Sequence, residues 1–302
     1  VSGRADVDGR RGETRDDEMS PTDVVSRRVA PRFAEGVLPG FGIAFGWAVT
    51  WLSLIVLIPL AALAFQAAGL GVGGFVRLLA DPRVTAALRL SFGAALIAAA
   101  VDAVFGLLVA WVLTRYRFPG RALIDAAVDL PFALPTAVAG VTLATLFAET
   151  GWIGGLLAPL GVKIAYTRLG VVVALVFVGL PFVVRTVQPL LAELDREVEE
   201  AAAVLGASRL ATVFRVLLPP LVPAILTGFG LSLARGIGEY GSVVFIAGNM
   251  PHLTEIAPLL VVIRLEEFDT VGAAGIACLM LSLSFALLLI VNLAQARARR
   301  FV

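Results

Sequence analysis

The chain has 302 residues, of which 59% are hydrophobic and only 16% charged, with a net charge of +1. Soluble domains carry roughly a quarter of their residues as charges, so this composition excludes an ordinary soluble protein and points to an integral membrane protein. The net charge by itself says nothing about partners, because its distribution matters more than its sum. No nucleic-acid partner is expected, and the single cysteine, Cys278, lies in an apolar block and reads as a packing residue.

Residues 1–36 hold seven arginines and eight acidic residues with few large apolar side chains. Such a stretch cannot bury enough surface to offset its ordering entropy, so a disordered tail is expected there. It is too acidic and too long for the start of a secretory signal. From about residue 40 to 302 the chain reads as one membrane domain.

Six apolar blocks meet the ~20 residues needed to cross a bilayer. They are Ile43–Ala68, with Trp47 and Trp51 as interface anchors, then Val84–Thr114, Ala126–Ala148, Leu169–Val187, Ala224–Ala247 and Val271–Ala294. Pro131 and Pro135 interrupt the third block and free backbone groups that could line a passage. The expected fold class is therefore all-α, polytopic, with about six transmembrane helices. Basic residues sort unevenly between the connections: seventeen on the side of both tails, 115–125 and 188–223, counting Arg185 at the edge of the fourth span, against five on the other. That asymmetry places both termini, and the 188–223 segment, in the cytoplasm.

The 188–223 segment mixes charge with helical apolar spacing. Asp195 is positioned to cap a helix starting near Arg196, with Glu197, Glu199 and Glu200 at its positive end. Gly206 interrupts it as a C-cap or bend. Ser208 can cap a second short helix, which Pro219, Pro220 and Pro223 should end before the fifth span. Physically this is either an amphipathic loop packed on its own protein or a docking lever for another chain.

Glu200-Ala201-Ala202, Gly206, Val216 and Leu218-Pro219 keep the spacing of the EAA signature, in which valine here replaces isoleucine. The segment resembles that of ABC-importer permeases, whose coupling helix sits in a cleft of a separate ATPase. Consistent with a separate ATPase, no G-x-x-x-x-G-K-[ST] loop is present; the one lysine, Lys163, follows Leu160-Gly-Val. His252, the single histidine, reads as incidental, and no metal-ligand cluster or catalytic constellation is present in the sequence.

Five further runs narrow the resemblance. They are Trp111–Gly120, Asp129–Gly140, Gly179–Pro189, Gly238–Pro251 and Thr254–Leu260. Together they are similar to the T-type permeases of bacterial sulfate/thiosulfate importers, over roughly residues 40–300. The resemblance implies a molybdate/sulfate permease-like fold and a five-part assembly: this chain, a homologous W-type permease, two ATPases holding ATP and Mg, and a soluble extracytoplasmic sulfate-binding protein. It implies no cofactor in this chain. Molybdate permeases share the EAA pattern and a similar Gly-Glu-aromatic-Gly turn, so molybdate is the alternative substrate. An ion-gradient secondary transporter is the alternative class.

Ionisable residues inside a span are functional candidates, because each costs about 2.5–3.5 kcal/mol at the bilayer centre. Arg235 and Glu239 stand four apart and can pair; either the pair is structural, or Arg235 lends positive potential to an anion path. Thr136 and Ser242 are candidate pore-lining hydroxyls. Asp102 is expected to hydrogen-bond a neighbouring helix. The segment 254–268 is expected to form a surface helix on the extracytoplasmic side, as an outer gate or a contact for the binding protein.

Overall fold

The computed structural model describes residues 41–298; the acidic–basic tail at 1–36 lies outside them. The chain separates into two compact units, Val1–Val56 and Leu57–Val302. Of the first, the described part is the N-terminal half of α1 (Phe41–Ala68), where Trp47 and Trp51 meet edge to face at 5.9 Å. Its side chains are almost all exposed, as befits a surface made for lipid or protein neighbours.

In the second unit α2 (Gly71–Ala80) leads into α3 (Pro82–Arg115). Asp81 caps α3, its carboxylate accepting the Arg83 N–H at 2.8 Å, and Pro82 occupies the first turn where no N–H is needed. At 1.5 Å per residue α3 is about 51 Å long, well beyond a ~30 Å hydrocarbon layer. It therefore tilts or carries Arg115 out of the bilayer.

The third apolar block does not form one helix. It splits into α4 (Arg121–Val128), α5 (Leu130–Ala133) and α6 (Thr136–Phe147), with the breaks at Asp129 and at Leu134-Pro135. The physical cause is the one its prolines announce, since Pro135 cannot donate and forces Leu134 into an extended conformation. After a short α7 (Gly154–Leu157) comes α8 (Arg168–Glu193), capped by the Thr167 hydroxyl. Five helices among the described residues are long and apolar enough to cross a membrane; α6 is a shorter apolar helix.

Then come α9 (Arg196–Val204), α10 (Arg209–Thr212), a wide turn of five residues at Val213–Leu217, and α11 (Leu218–Ile237). Here the prolines act against expectation. Pro219 and Pro220 sit in the first turn of α11, where a missing N–H costs nothing, and Pro223 lies inside that helix. The wide π-type turn absorbs the lost donors, so α10 runs on into the span instead of ending before it. The fifth apolar block is also cut short: α11 stops at Ile237, and α12 (Val243–Ile246) follows a glycine-rich turn. The segment expected as a surface helix at 254–268 forms α13 (Ala257–Glu266), but Ala257, Leu259 and Leu260 are buried. Ala257 and Leu260 pack against α3, because the apolar face of α13 finds a partner within the chain. The last described helix is α14 (Thr270–Ala298).

Three helices, α3, α8 and α11, form the centre. Ala94, Ala95, Ala98 and Ala99 recur on one face of α3 and pack with Ala174, Leu175, Leu233 and Ile237. Between membrane helices small side chains permit close backbone approach, where van der Waals packing drives association. At the other end Leu113, Val183, Val184, Val187 and Leu221 form a second cluster. Asp102, fully buried, lies between the two and accepts the Ser232 hydroxyl at 2.6 Å, the interhelical bond expected of it. Gly179 of α8 completes this crossing, because a Cβ there would overlap both Asp102 Oδ2 and Ser232 Oγ.

Candidate coupling and translocation sites

The 195–219 segment is built as two short helices meeting at a glycine. Asp195 holds the N-cap backbone conformation of α9, but its side chain caps nothing. Gly206 adopts φ +80°, and the N–H groups of Gly206 and Ala207 bond Ala203 O and Ala202 O at 3.0 Å. This left-handed closure is glycine's ordinary role at a helix end. Ser208 Oγ accepts the Ala211 N–H at 3.3 Å and starts α10.

Arg115 ties the segment to the membrane core. Arg115, at the end of α3, pairs with Glu199 at 3.0 Å and donates to Leu194 O at 3.1 Å, with its guanidinium 5.9 Å from the Trp111 ring. A cavity of about 460 Å³, lined by Trp111, Tyr116, Glu199 and Leu221 among others, separates much of the lever from α3. The outward side carries Glu200 and Ala201 together with Val204, Leu205, Leu210 and Phe214, all exposed. Ala202 is buried, while Val216, Leu218 and Pro219 are half-buried where the lever enters α11. The EAA positions thus divide between an open face and the junction with α11.

The second site lies at the end of α11. Arg235 Nη1 pairs with Glu239 Oε2 at 2.6 Å, while Glu239 Oε1 accepts both the N–H and the hydroxyl of Ser242 at 2.9 Å. The Glu239 side chain is 1% exposed and that of Arg235 37%. A carboxylate needs such partners when it is taken out of water. Ser242 is itself fully buried, so its hydroxyl holds Glu239 and lines no open space. Thr136, half-buried at the start of α6, packs against Gly241, leaving no room there for a Cβ. The four sequence candidates therefore converge on one turn, with Arg235 as its outward-facing charge.

One cluster escaped sequence reasoning. Arg185 donates from Nε and Nη2 to Asp129 at 2.7 and 2.6 Å, and from Nη1 to Asp125 and Gln188 at 2.7 and 2.6 Å. These bonds pin α4 and α5 to α8. Arg185 holds Asp125 below the ordinary carboxylate range, so the pairing stabilises the fold above the unfolded value near pH ~4 and is lost as pH falls through the lower folded one. Arg185→Ala is expected to lower stability by about 1–2 kcal/mol, a modest value because all three groups are part-exposed. Arg185→Lys should not restore it, since an ammonium cannot engage Asp129 with two parallel bonds. A detergent melt of the three proteins checks both.

A family model described as the binding-protein-dependent transport system inner membrane component matches residues 102–300. The sulfate transport system permease protein CysT of Salmonella typhimurium is 49% identical over 266 residues, 88% of this chain and 96% of that one. The protein of the same name from Synechocystis is 52% identical over 261 residues, 86% and 91% of the two chains. Among solved structures, a bacterial ABC transporter that imports the acidic polysaccharide alginate superposes with a TM-score of 0.68, at 16% identity over 83% of this chain and 92% of that one. A bacterial alginate ABC transporter in complex with an alginate pentasaccharide-bound periplasmic protein gives 0.70, at 16% identity over 84% and 93%. At that identity the likeness establishes the fold alone. The matched model and the near-full-length identity place this multi-pass chain in the family of binding-protein-dependent transport system inner membrane components.

Proposed function

We propose that this chain is a pore-forming subunit of an ATP-driven sulfate importer. The observation that carries the reading is its 49–52% identity to CysT permeases along nearly the whole of both chains. Two features of the fold support it. The lever at 195–219 presents an apolar face of Val204, Leu205, Leu210 and Phe214 beside the exposed Glu200, a surface suited to the cleft of a separate ATPase. The Arg235–Glu239 turn places a cation against a buried counter-charge at a break in a span, which suits the passage of an anion.

In the full assembly a W-type permease completes the pore, two ATPases supply ATP and Mg, and an extracytoplasmic binding protein delivers sulfate. The excess of basic residues on their side of the membrane supports a cytoplasmic placement of both tails and the lever. Energy enters through the lever and reaches the pore through Arg115 and α3.

Reconstitution of the assembled importer in liposomes tests the reading. Sulfate uptake should require the ATPase, ATP and the binding protein, with thiosulfate and molybdate added as competitors to rank the oxyanions. Uptake by this chain alone, driven by an ion gradient, would overturn it.

A further inference from the structure

Near the end of α3 opposite Arg115, a cavity of about 410 Å³ opens between α3, the start of α8 and the 250–254 loop. Three basic side chains, Arg89, Arg168 and His252, line it, and no acidic one does. Arg89 is the notable member. It stands between Leu88 and Leu90 within a span, and it forms no ion pair with a described residue. The side chains of Arg89, Arg168 and His252 are all exposed at this opening, so a soluble anion or a lipid headgroup can reach them.

The remaining geometry is that of a prepared site. Arg168 Nε donates to Leu253 O at 2.8 Å, which orients the guanidinium and leaves its Nη groups without a carboxylate. The loop behind it is fixed: Met250 O accepts the N–H groups of Leu253, Thr254 and Glu255, and the Thr254 hydroxyl accepts that of Met250. His252 is held at φ +64°, an uncommon conformation outside glycine that places strain at the cavity rim. The carboxylate of Glu255, three residues on, is occupied by two bonds from Arg83 at 2.7 and 2.8 Å and cannot neutralise the pocket. Gly93, one turn along α3 from Arg89, keeps the floor open.

We propose that this cavity is an oxyanion site, taking a tetrahedral, doubly acidic group through the guanidinium donors of Arg89 and Arg168, with His252 at the rim. Paired guanidinium groups match the oxygens of such anions in geometry as well as charge. The same chemistry is presented by a free oxyanion and by a phospholipid phosphate. Only the site's place on the transport route rests on the reading of the chain as a sulfate permease; its affinity for oxyanions does not.

The test uses the assembled importer in nanodiscs, comparing the Arg89→Gln/Arg168→Gln protein with wild type, Arg89→Lys, and Arg77→Gln as a surface-charge control. Thermal stabilisation is titrated with sodium sulfate in zwitterionic lipid, and separately with phosphatidylglycerol in the nanodisc. Loss of the sulfate shift, with a KM for uptake raised roughly tenfold or more, assigns a free oxyanion. Loss of the phosphatidylglycerol shift with unchanged sulfate uptake assigns a lipid phosphate. Arg89→Lys should retain part of either shift, and Arg77→Gln all of it. If the double variant keeps both shifts, the site is wrong, whether or not the importer carries sulfate; if wild type shows the shift but no ATP-driven uptake, the site stands and the importer reading fails.

Discussion

Replacing Gly206 with valine is expected to disconnect ATP hydrolysis from transport. The position is sterically open, with nothing within 4 Å of an added Cβ, so the lesion is one of backbone and docking rather than of internal packing. An L-residue at φ +80° costs about 1–2 kcal/mol, and more when branched at Cβ. That alone changes the population of a correctly shaped lever by roughly 5–30-fold. The added bulk also sits beside Val204 and Leu205, which the lever presents outward. Uptake should therefore collapse, accompanied by weaker co-purification with the ATPase or by hydrolysis that no longer depends on the binding protein. Gly206→Asn is the control for strain, because asparagine tolerates the left-handed region; it should keep most of the coupling. Sulfate affinity of the isolated binding protein should be untouched. Normal uptake by the valine protein would remove the lever from the mechanism.

A comparably large effect is expected at Arg235 and Glu239. Arg235→Ala leaves a carboxylate that is 1% exposed with only the two donors of Ser242. Removing one member of a buried pair costs about 3–5 kcal/mol, most of it the penalty of the charge left behind. Glu239→Ala should be milder on the arginine side, since Arg235 reaches solvent, but it strands the Ser242 N–H and hydroxyl at about 1–3 kcal/mol each. Arg235→Met/Glu239→Gln removes both charges while the glutamine carbonyl still accepts from Ser242, and should recover much of the folded yield, because neutral replacement of a buried pair is often tolerated. The discriminating readout is uptake by that double variant. A well-folded, assembled protein that fails to transport makes Arg235 part of the anion path; normal transport makes the pair purely structural. A double-mutant cycle on the melting temperature gives the coupling energy separately.

Much of the fold is legible in the sequence because membrane spans announce themselves by length. Four of the blocks, Ile43–Ala68, Val84–Thr114, Leu169–Val187 and Val271–Ala294, lie within helices that extend them by a few residues at one or both ends. The fifth does not coincide, since hydropathy does not register the stop at Gly238 or the benign position of prolines in a first turn. The Arg235–Glu239 pair is local, four residues apart, and so it can be read directly. Ser242 is different: its residue type suggested a lining hydroxyl, but only the fold shows it turned inward to Glu239. The Arg185 cluster joins residues 56 and 60 apart, which no local pattern reveals, although both halves lie in or beside runs that carried the family resemblance. Arg89 hides for a related reason, as one charge in a long apolar run says nothing about which neighbours gather around it.

Helix α3 unites features that are far apart in space. Arg115, its last residue, grips Glu199 of the lever, and Arg89 lines the basic cavity toward the other end, about 39 Å away at 1.5 Å per residue. Between them Asp102 and the alanine face clamp the helix against α8 and α11, and no proline interrupts it. A helix held in this way is expected to carry a displacement at one end to the other as a rotation or slide, since the usual causes of a sharp kink are absent from its middle. Timing between the two faces of the membrane would then require no relay of successive contacts, because both ends belong to one moving part.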